Sequence, residues 1–280
     1  MAEIVLGVTG SIAAFKAADL CSKLVQSGHG VSVVLTDSAA RLVAPATFEY
    51  LSGRPVHRAL FGAEGEGDIS HITLTDKADA VVLAPLTANT IARLASGLAD
   101  DLLTTLMLAV RSPVLLCPAM NPRMWSHPAV RENIARLQSF GWHLLEPEAG
   151  HMACGHVGAG RLVEPPIIQR SLDALLAGES RLPRFRRVLE TCSPLDTPPT
   201  AALRGEESAW LNRERLRGAL ETRACTSADG VERRIWRAAD IEEARTLAAG
   251  SPIAREHTRS STFELLEAAE VPRSDPSPGS

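Results

Sequence analysis

The sequence predicts an α/β fold in which helices cover both faces of an open parallel sheet. Short apolar runs, rich in β-branched residues, alternate along residues 1–180 with longer segments of helical pattern. The runs are continuously apolar, which is typical of strands buried on both faces. Glycines follow two of the helical segments, Gly28 and Gly141, at positions that suit helix C-caps. These features are typical of a Rossmann-like or flavodoxin-like sheet.

The elements follow one another in a regular order. The predicted strands are Ile4–Val8, Val31–Thr36, Ala80–Ala84, Val114–Cys117 and Trp142–Leu145. The predicted helices are Ile12–Gln26, Ala40–Leu51, Thr90–Leu98, Leu102–Val110 and Ala129–Phe140. Ligands of open α/β sheets bind beyond the carboxyl ends of the strands, so the residues that follow each strand are the candidates for a functional site.

The sequence after Arg181 shows no comparable series of apolar strands. We expect a poorly defined, irregular C-terminal extension over residues 181–280, with its proline- and serine-rich end, Val271–Ser280, disordered. Helices are predicted at Ala239–Leu247 and Thr262–Ala269. The domain prediction is therefore a compact domain over residues 1–180 followed by this tail.

Composition excludes several classes of protein. The chain has 280 residues, 45% hydrophobic content and a formal net charge of −4. No apolar run approaches the roughly 20 residues that span a bilayer, and the N-terminus lacks a signal peptide, so we expect a cytoplasmic protein with no membrane partner. The negative charge argues against a nucleic-acid partner. The five cysteines show no CxxC spacing, so neither a disulfide framework nor a metal site is predicted.

The first candidate segment follows strand one. Gly10, Ser11 and Ile12 stand at the start of the first helix, where backbone N–H groups and the helix dipole favour an anion and the serine hydroxyl adds a donor. The spacing of Gly7 and Gly10 is not GxGxxG, so a dinucleotide is not implied. A glycine turn with a serine N-cap explains this segment equally well.

Strand two ends in Thr36-Asp37-Ser38, which again places hydroxyls where a ligand would bind. Asp37 suits either a ribose-binding acid or a helix cap. The segment alone does not decide between them.

Strand three runs into a cluster of small polar residues, Pro85–Thr90. Helix capping requires one hydroxyl, but it does not require Thr87, Asn89 and Thr90 together. We therefore interpret this cluster as part of a binding site.

Two further segments carry isolated polar side chains. His71 precedes strand three; a lone histidine is more often a packing or surface residue, but its ordinary pKa makes it the candidate base near neutrality. Asn121 is a lone amide that follows strand four within Pro118–Trp125, between two prolines. The neighbouring Met124 and Trp125 are predicted to be packing residues.

The glycine-rich segment Met152–Arg161 is interpreted as a flexible lid over a site. It carries Cys154, a thiol suited to proton chemistry, and Arg161, a guanidinium suited to an anion. The alternative is a buried, inert cysteine.

Residues 1–180 resemble the homo-oligomeric flavin-containing cysteine decarboxylases. Four segments carry the resemblance, in order: Gly7–Lys16, Pro85–Thr90, Pro118–Trp125 and Ala153–Arg161. Within the family, the likeness is greatest to the members that decarboxylate 4′-phosphopantothenoylcysteine in coenzyme A biosynthesis. Leu86 and Thr87 depart from the family's usual residues, although Thr87 keeps the hydroxyl.

The resemblance implies FMN as the cofactor and assigns roles by position. The implied cofactor-binding residues are Gly10, Ser11, Ile12, Thr36, Ser38, Thr87, Ala88, Asn89, Thr90 and Ala119. The implied catalytic residues are His71 and Cys154, and the implied substrate-binding residues are Met120, Asn121 and Arg161. The family also implies a homo-oligomer, a trimer or a dodecamer of trimers, with the flavin at a subunit interface.

The implied reaction converts 4′-phosphopantothenoylcysteine to 4′-phosphopantetheine by flavin oxidation to a thioaldehyde, loss of CO₂ and re-reduction. In this reaction His71 assists proton removal, Asn121 holds the substrate carboxylate and Cys154 protonates the late intermediate. Two alternatives stay open: a peptidyl-cysteine decarboxylase that forms aminoenethiols, and a non-catalytic flavin-binding regulatory protein. The flavin prenyltransferases share the fold, but the full Pro118–Trp125 motif disfavours them.

The tail departs from the family's bifunctional members, in which a ligase follows the decarboxylase. Residues 190–199 contain no glycine-rich nucleotide loop, so a ligase domain and its activity are predicted to be absent. A degraded or frame-shifted ligase is one hypothesis for the origin of the tail.

Overall fold

The computed structural model divides the chain into two compact units, Met1–Leu182 and Pro183–Ser280. It describes residues 1–60, 70–151, 157–178, 186–192, 206–211, 214, 220–222, 232–238, 241–249, 251 and 261–266. No helix within these ranges is both long and apolar enough to cross a membrane.

The first unit is built on a five-stranded sheet with the order β2-β1-β3-β4-β5. The strands are β1 (Glu3–Val8), β2 (Gly30–Leu35), β3 (Ala80–Leu86), β4 (Val114–Pro118) and β5 (His143–Leu144). All neighbouring strands pair in parallel, so their carboxyl ends lie at one edge of the sheet. The open parallel sheet and its five predicted strands are confirmed.

Nine helices are described in this unit. They are α1 (Ala14–Gln26), α2 (Asp37–Ala40), α3 (Pro45–Ser52), α4 (Ser70–Lys77), α5 (Ala88–Ser96), α6 (Leu102–Ala109), α7 (Pro122–Trp125), α8 (Pro128–Ser139) and α9 (Pro165–Leu176). The helix predicted from Ala40 begins only at Pro45, because proline has no N–H to leave unpaired in the first turn. The left-handed Gly28 and Gly141 follow α1 and α8, as predicted.

Helices cover both faces of the sheet, as predicted. On one face, Val81, Leu83 and Leu116 of the sheet form a core with side chains such as Ile91 of α5 and Leu106 of α6. Helices α1 and α9 pack against each other and against β3. Successive strand residues point to opposite faces, so these two groups of helices enclose a sheet whose strands β3 and β4 are buried along their whole length.

A small antiparallel ribbon overlaps the segment predicted to be a lid, Met152–Arg161. Its strands are β6 (Glu148–His151) and β7 (Val157–Arg161), and residues 152–156 between them lie outside the described residues. Val157–Arg161, the last part of the predicted lid, thus forms a paired strand, and its role as a lid stays a prediction. The glycines there serve a close approach to α7: a Cβ on Gly158 would lie 3.0 Å from two side-chain carbons of Pro122.

The second unit contains a four-stranded antiparallel sheet in the order β11-β8-β10-β9. Its strands are β8 (Arg186–Cys192), β9 (Leu220–Thr222), β10 (Glu232–Ala238) and β11 (Ser261–Leu266), and its helices are α10 (206–211) and α11 (Ile241–Ala249). The helix predicted at Ala239–Leu247 is confirmed with a shift of two residues. The helix predicted at Thr262–Ala269 is wrong, because pairing with β8 draws Ser261–Leu266 into the sheet.

Buried charge explains why the strands of the second unit did not show an apolar pattern. Arg234 of β10 is 2% exposed, and its Nη2 donates to Glu207 Oε1 at 2.7 Å. Trp236, two residues along the same face, donates to Glu190 Oε2 at 2.7 Å. Pairing satisfies these groups inside the unit. The absence of a ligase domain stays a prediction.

Candidate functional site

A cavity of about 600 Å³ lies where β1, β2, β3 and β4 run into the segments that follow them. Its lining residues are Gly10, Ser11, Leu35, Thr36, Asp37, Ser38, Arg58, Thr87, Ala88, Asn89, Thr90, Arg93, Asp100, Asp101, Leu102, Leu103, Ala119, Met120 and Met124. The structure thus brings together every residue predicted to bind the cofactor except Ile12. Met120, which was predicted to bind the substrate, also lines the cavity. Ile12 is 70% exposed and does not line the cavity.

The turn after β1 is shaped by a glycine. A Cβ on Gly10 would lie 2.4 Å from the Cβ of Ser38, so a side chain here would push apart the turns after β1 and β2. Helix α1 begins only at Ala14, and its N-cap residue Ala13 makes no side-chain cap. The alternative of Ser11 as the N-cap is therefore wrong: its hydroxyl accepts only a long bond of 3.4 Å from the N–H of Ala13.

The turn after β2 uses Thr36 as a true cap. Its Oγ1 accepts from the N–H of Ala39 at 3.3 Å and begins α2. Asp37 is neither the cap nor an isolated acid, since its carboxylate pairs with Arg58 Nη2 at 3.1 Å. Both members of this pair line the cavity, where Arg58 is a cation that the sequence analysis did not single out.

The turn after β3 supports the interpretation that capping requires only one of its hydroxyls. Thr87 Oγ1 caps α5 by accepting from the N–H of Thr90 at 3.4 Å. The buried hydroxyl of Thr90 lies 3.1 Å from Thr87 Oγ1. Asn89 has no part in the cap and is exposed on the first turn of α5, at the cavity wall.

An ion-pair cluster that the sequence analysis missed forms another part of the wall. Arg93 on α5 bonds to Asp101 Oδ2 at 2.8 Å, to Thr104 Oγ1 at 3.2 Å and to Asp100. Burial opposes ionisation of Asp101, but hydrogen bonds from Thr104 and Arg93 outweigh it, so the pKa of Asp101 lies below its ordinary value. Asp101 also forms a capping box with Thr104 at the start of α6. In the sequence, the signal that could have identified this cluster was the acidic pair directly before the apolar run of α6.

Asn121 caps the one-turn helix α7. Its Oδ1 accepts from the N–H of Arg123 at 2.9 Å, which fixes the orientation of the amide. Trp125 is buried in the core, as predicted, but Met124 is 47% exposed and lines the cavity, so its prediction as a packing residue is wrong. Met120 is half-buried and contributes to both the core and the cavity.

The ribbon and the Asn121 turn are joined directly. The N–H of Met120 donates to the carbonyl of Gly160 at 2.9 Å, next to the contact between Pro122 and Gly158. The position of β7 is thereby coupled to the residues on either side of Asn121.

Arg161 lies at the end of the ribbon and outside the cavity lining. Its Nη2 donates to Glu164 Oε1 at 3.2 Å, and the same oxygen accepts from Lys16 Nζ at 2.7 Å. The guanidinium also packs over Gly150, where a Cβ would lie 2.8 Å from Nη1. In this structure two cations therefore share one carboxylate oxygen beside the ribbon.

The two residues predicted to be catalytic are only partly described. His71 lies in the first turn of α4, but its side chain falls outside the described residues, and so does all of Cys154. The described cysteines, Cys21, Cys117 and Cys192, are all buried; burial raises the pKa of Cys21 to about 11 and also raises that of Cys117. These two thiols are unsuited to acid–base chemistry near neutrality.

Comparison with known proteins gives one family and a consistent set of relatives. Residues 1–177 match the family model described as Flavoprotein. The coenzyme A biosynthesis bifunctional protein CoaBC of Bacillus subtilis is 45% identical over 193 residues, which are 69% of this chain and 48% of the relative. The CoaBC of Vibrio parahaemolyticus is 47% identical over 163 residues, 58% of this chain and 41% of the relative. The chain thus spans about half the length of the curated relatives it matches.

Solved structures agree with this assignment. A PPC decarboxylase mutant complexed with pantothenoylaminoethenethiol superposes with a TM-score of 0.57 at 30% identity, covering 63% of this chain and 98% of that one. The FMN-dependent cysteine decarboxylase SpaF gives 0.55 at 28% identity, covering 65% and 98%. The FMN-binding protein AtHal3 gives 0.54 at 29% identity, covering 63% and 97%.

Proposed function

Because the chain belongs to the Flavoprotein family, we propose that it is an FMN-dependent decarboxylase that converts 4′-phosphopantothenoylcysteine to 4′-phosphopantetheine in coenzyme A biosynthesis. The observation that carries this proposal is the cavity at the strand ends, which gathers the predicted cofactor residues beside the Asn121 turn. The CoaBC relatives and the PPC decarboxylase structure support the same substrate.

The cavity fits FMN in size and chemistry. Its volume of about 600 Å³ lies within the range of about 300–1,000 Å³ typical of small-molecule sites. Ser11 and Ser38 both line the cavity near the start of α1, where Gly10 packs against Ser38, and their hydroxyls suit a phosphate group. The small side chains of Ala88 and Ala119 leave room for a flat ring system. When bound, FMN supplies the electron sink that a cysteine carboxylate needs in order to lose CO₂.

Asn121 is suited to hold the substrate carboxylate. Its amide is neutral, so it orients the leaving group without a charge that would stabilise the ground state. The cap to Arg123 and the neighbouring bond from Met120 to Gly160 hold this turn in place. Met120, which lines the cavity beside it, contributes the apolar part of the substrate site.

The remaining roles in this proposal rest on the family likeness. His71 removes a proton from the substrate and Cys154 returns one to the product. Arg161 binds the substrate as an anion partner; in the structure its guanidinium is held by Glu164 at 3.2 Å, so a substrate anion has to compete with that carboxylate.

We propose a cytoplasmic, trimer-based homo-oligomer. Ile12, which follows Ser11 in the sequence, is 70% exposed, and Phe15 in the first turn of α1 is 64% exposed. Apolar side chains at the mouth of a cavity are suited to contact with a second copy of the chain. Such a contact assigns Ile12 to the subunit interface that encloses the flavin.

The experiment is to purify the full chain, record its visible spectrum and supply 4′-phosphopantothenoylcysteine while CO₂ is measured. A yellow protein that releases CO₂ from this substrate supports the proposal. The family likeness leaves a peptide with a C-terminal cysteine as the second candidate substrate; SpaF, one of the similar structures, is described as an FMN-dependent cysteine decarboxylase. A yellow protein that decarboxylates only such a peptide contradicts the coenzyme A role, and one that binds FMN but decarboxylates neither leaves a regulatory role.

A further inference from the structure

We propose that Thr9, the residue between β1 and Gly10, is a positioning residue for the flavin site. It does not line the cavity, and its side chain is 1% exposed, so it acts through other residues rather than by touching a ligand. The inference rests on the proposed function, since it concerns the same FMN site. Thr9 lies within Gly7–Lys16, one of the segments that resemble the cysteine decarboxylases. Neither the sequence pattern nor that resemblance assigns a role to Thr9.

The evidence is a set of hydrogen bonds that joins two cavity turns. Thr9 Oγ1 donates to the carbonyl of Pro85 at 2.7 Å and accepts from the N–H of Thr87 at 3.0 Å. The N–H of Thr9 also donates to Pro85 O at 3.2 Å, and its carbonyl accepts from Ser11 at 2.8 Å. One residue therefore bonds both to the turn after β1 and to the turn after β3.

The direction of these bonds makes the hydroxyl necessary. The Pro85 carbonyl can only accept and the Thr87 N–H can only donate, so the atom between them must do both. A hydroxyl does so from one oxygen. Valine has nearly the same shape but does neither, and it would leave a buried donor and a buried acceptor without this partner.

The consequence for the site runs through Thr87. Its backbone N–H is held by Thr9, which fixes the residue that caps α5 and lines the cavity. The hydroxyls of Thr87 and Thr90 lie 3.1 Å apart and share one hydrogen, so the pair keeps one hydrogen for another acceptor. Because both threonines line the cavity, a flavin heteroatom is suited to accept this hydrogen from whichever of the two carries it. Loss of the Thr9 hydroxyl moves this donor relative to Ser11.

The test compares FMN dissociation constants of full-length variants, measured by flavin fluorescence well below their melting temperatures. Thr9→Val is expected to weaken FMN binding about tenfold or more, a factor that corresponds to about 1.4 kcal/mol. Thr9→Ser keeps the hydroxyl and is expected to stay within about threefold of the wild type. If Thr9→Val does not fold, Thr9→Ala carries the same expectation.

Two control variants separate positioning from general stability. Thr105→Val removes a buried hydroxyl that has no hydrogen-bond partner among the described residues, and it is expected to bind FMN like the wild type. Ile134→Val trims the core at a buried site outside the cavity, so it should lower the melting temperature and leave FMN affinity unchanged.

Three outcomes would overturn the inference. If Thr9→Val is less stable but binds FMN like the wild type, Thr9 is a structural residue only. If Thr9→Ser binds as weakly as Thr9→Val, the methyl group rather than the hydroxyl matters. A wild-type protein that binds no FMN overturns the proposed function, and this inference with it.

Discussion

At the scale of single residues, Gly10 decides how closely two turns of the site approach each other. Its Cα hydrogen faces the Cβ of Ser38, at a place where a methyl group would come within 2.4 Å. The obstacle is the first side-chain carbon and the backbone of Ser38, which cannot rotate away as a long side chain could. The serine hydroxyls at this end of the cavity therefore depend on a residue without a side chain.

We predict that Gly10→Ala weakens FMN binding at least about tenfold, because Ser38, which lines the cavity, has to move away from the new methyl group; that factor is about 1.4 kcal/mol. The dissociation constant for FMN is the measurement. Gly53→Ala is the matched control: Gly53 has a φ of 66° and open space around it, so alanine there costs about 1 kcal/mol of stability but leaves the cavity intact. Equal FMN affinity in both variants would count against the assignment of Gly10.

Two substitutions of Asn121 separate its role as the cap of α7 from its proposed role in binding the substrate carboxylate. Aspartate caps a helix as well as asparagine does, so Asn121→Asp should keep the bond to Arg123 and the melting temperature. Its negative charge faces the substrate carboxylate, and like charges in contact cost several kcal/mol. We predict at least a 100-fold fall in kcat/KM for CO₂ release, about 2.7 kcal/mol.

Asn121→Ala is the control, because it removes the helix cap but does not place a negative charge beside the substrate. It removes the cap, so it should cost about 1 kcal/mol of stability without adding a repulsive charge. If Asn121→Asp turns over like the wild type, Asn121 does not hold the carboxylate.

The sequence was informative for residues whose role is visible locally and silent for those whose partner is distant. The cluster of Thr87, Asn89 and Thr90 was found because it contains more polar groups than a cap needs. Thr9 gave no such signal, because its partners Pro85 and Thr87 lie 76 and 78 residues away. Only the pairing of β1 with β3 brings them together.

At the scale of secondary-structure elements, the contact between α5 and α6 is fixed by charge. Arg93 on α5 reaches Asp101 at the start of α6, and Asp101 also holds the first turn of its own helix through Thr104. These bonds connect the part of the cavity wall on α5 with the part at the start of α6.

The lowered pKa of Asp101 makes this contact pH-dependent. Since the folded-state pKa of Asp101 lies below the ordinary value of 3.8, the stabilisation is fully present above that ordinary value and is lost as the pH falls through the lower, folded-state pKa. We predict that Asp101→Asn lowers the free energy of unfolding at pH 7 by about 1–2 kcal/mol and by less near pH 3. Denaturant titration at both pH values is the measurement.

The control for this prediction is Asp19→Asn. Asp19 is exposed on α1 and pairs with Lys23 one turn away, a contact worth about 0.3–0.5 kcal/mol. A loss in Asp101→Asn that is no larger than in Asp19→Asn, or that does not shrink towards pH 3, would contradict the account of the α5–α6 contact.

The elements of the sheet were predictable, whereas those fixed by tertiary contact were not. Continuous apolar runs identified all strands of the parallel sheet. The glycines of β7 indicate a loop when only the local sequence is considered, whereas in the structure Gly158 allows a close approach to Pro122. The local sequence of Ser261–Leu266 predicts a helix because the pairing with β8, which makes this segment a strand, is not visible in it.

At the scale of the whole molecule, every residue of the cavity lies in the first unit. The lining runs from Gly10 to Met124, and the family match ends at residue 177. The second unit has its own core, which includes Trp210 and Trp236. We therefore predict that a chain ending at Leu182 binds FMN with the affinity of the full chain.

The measurement is FMN affinity of the shortened and full-length proteins, with circular dichroism as the check on folding. Equal affinity would assign the flavin site to the first unit alone. A shortened chain that is folded but binds FMN more than tenfold more weakly would show that residues beyond Leu182 contribute to the site.

The central claim is that this cavity binds FMN and decarboxylates the cysteine of 4′-phosphopantothenoylcysteine. The most direct measurement uses substrate labelled at the cysteine carboxylate, incubated with the purified yellow protein, and counts labelled CO₂ against product. We expect one CO₂ for each 4′-phosphopantetheine formed and no net change in the flavin spectrum after turnover. A flavin-loaded protein that releases no label, while Asn121→Asp behaves identically, would contradict it.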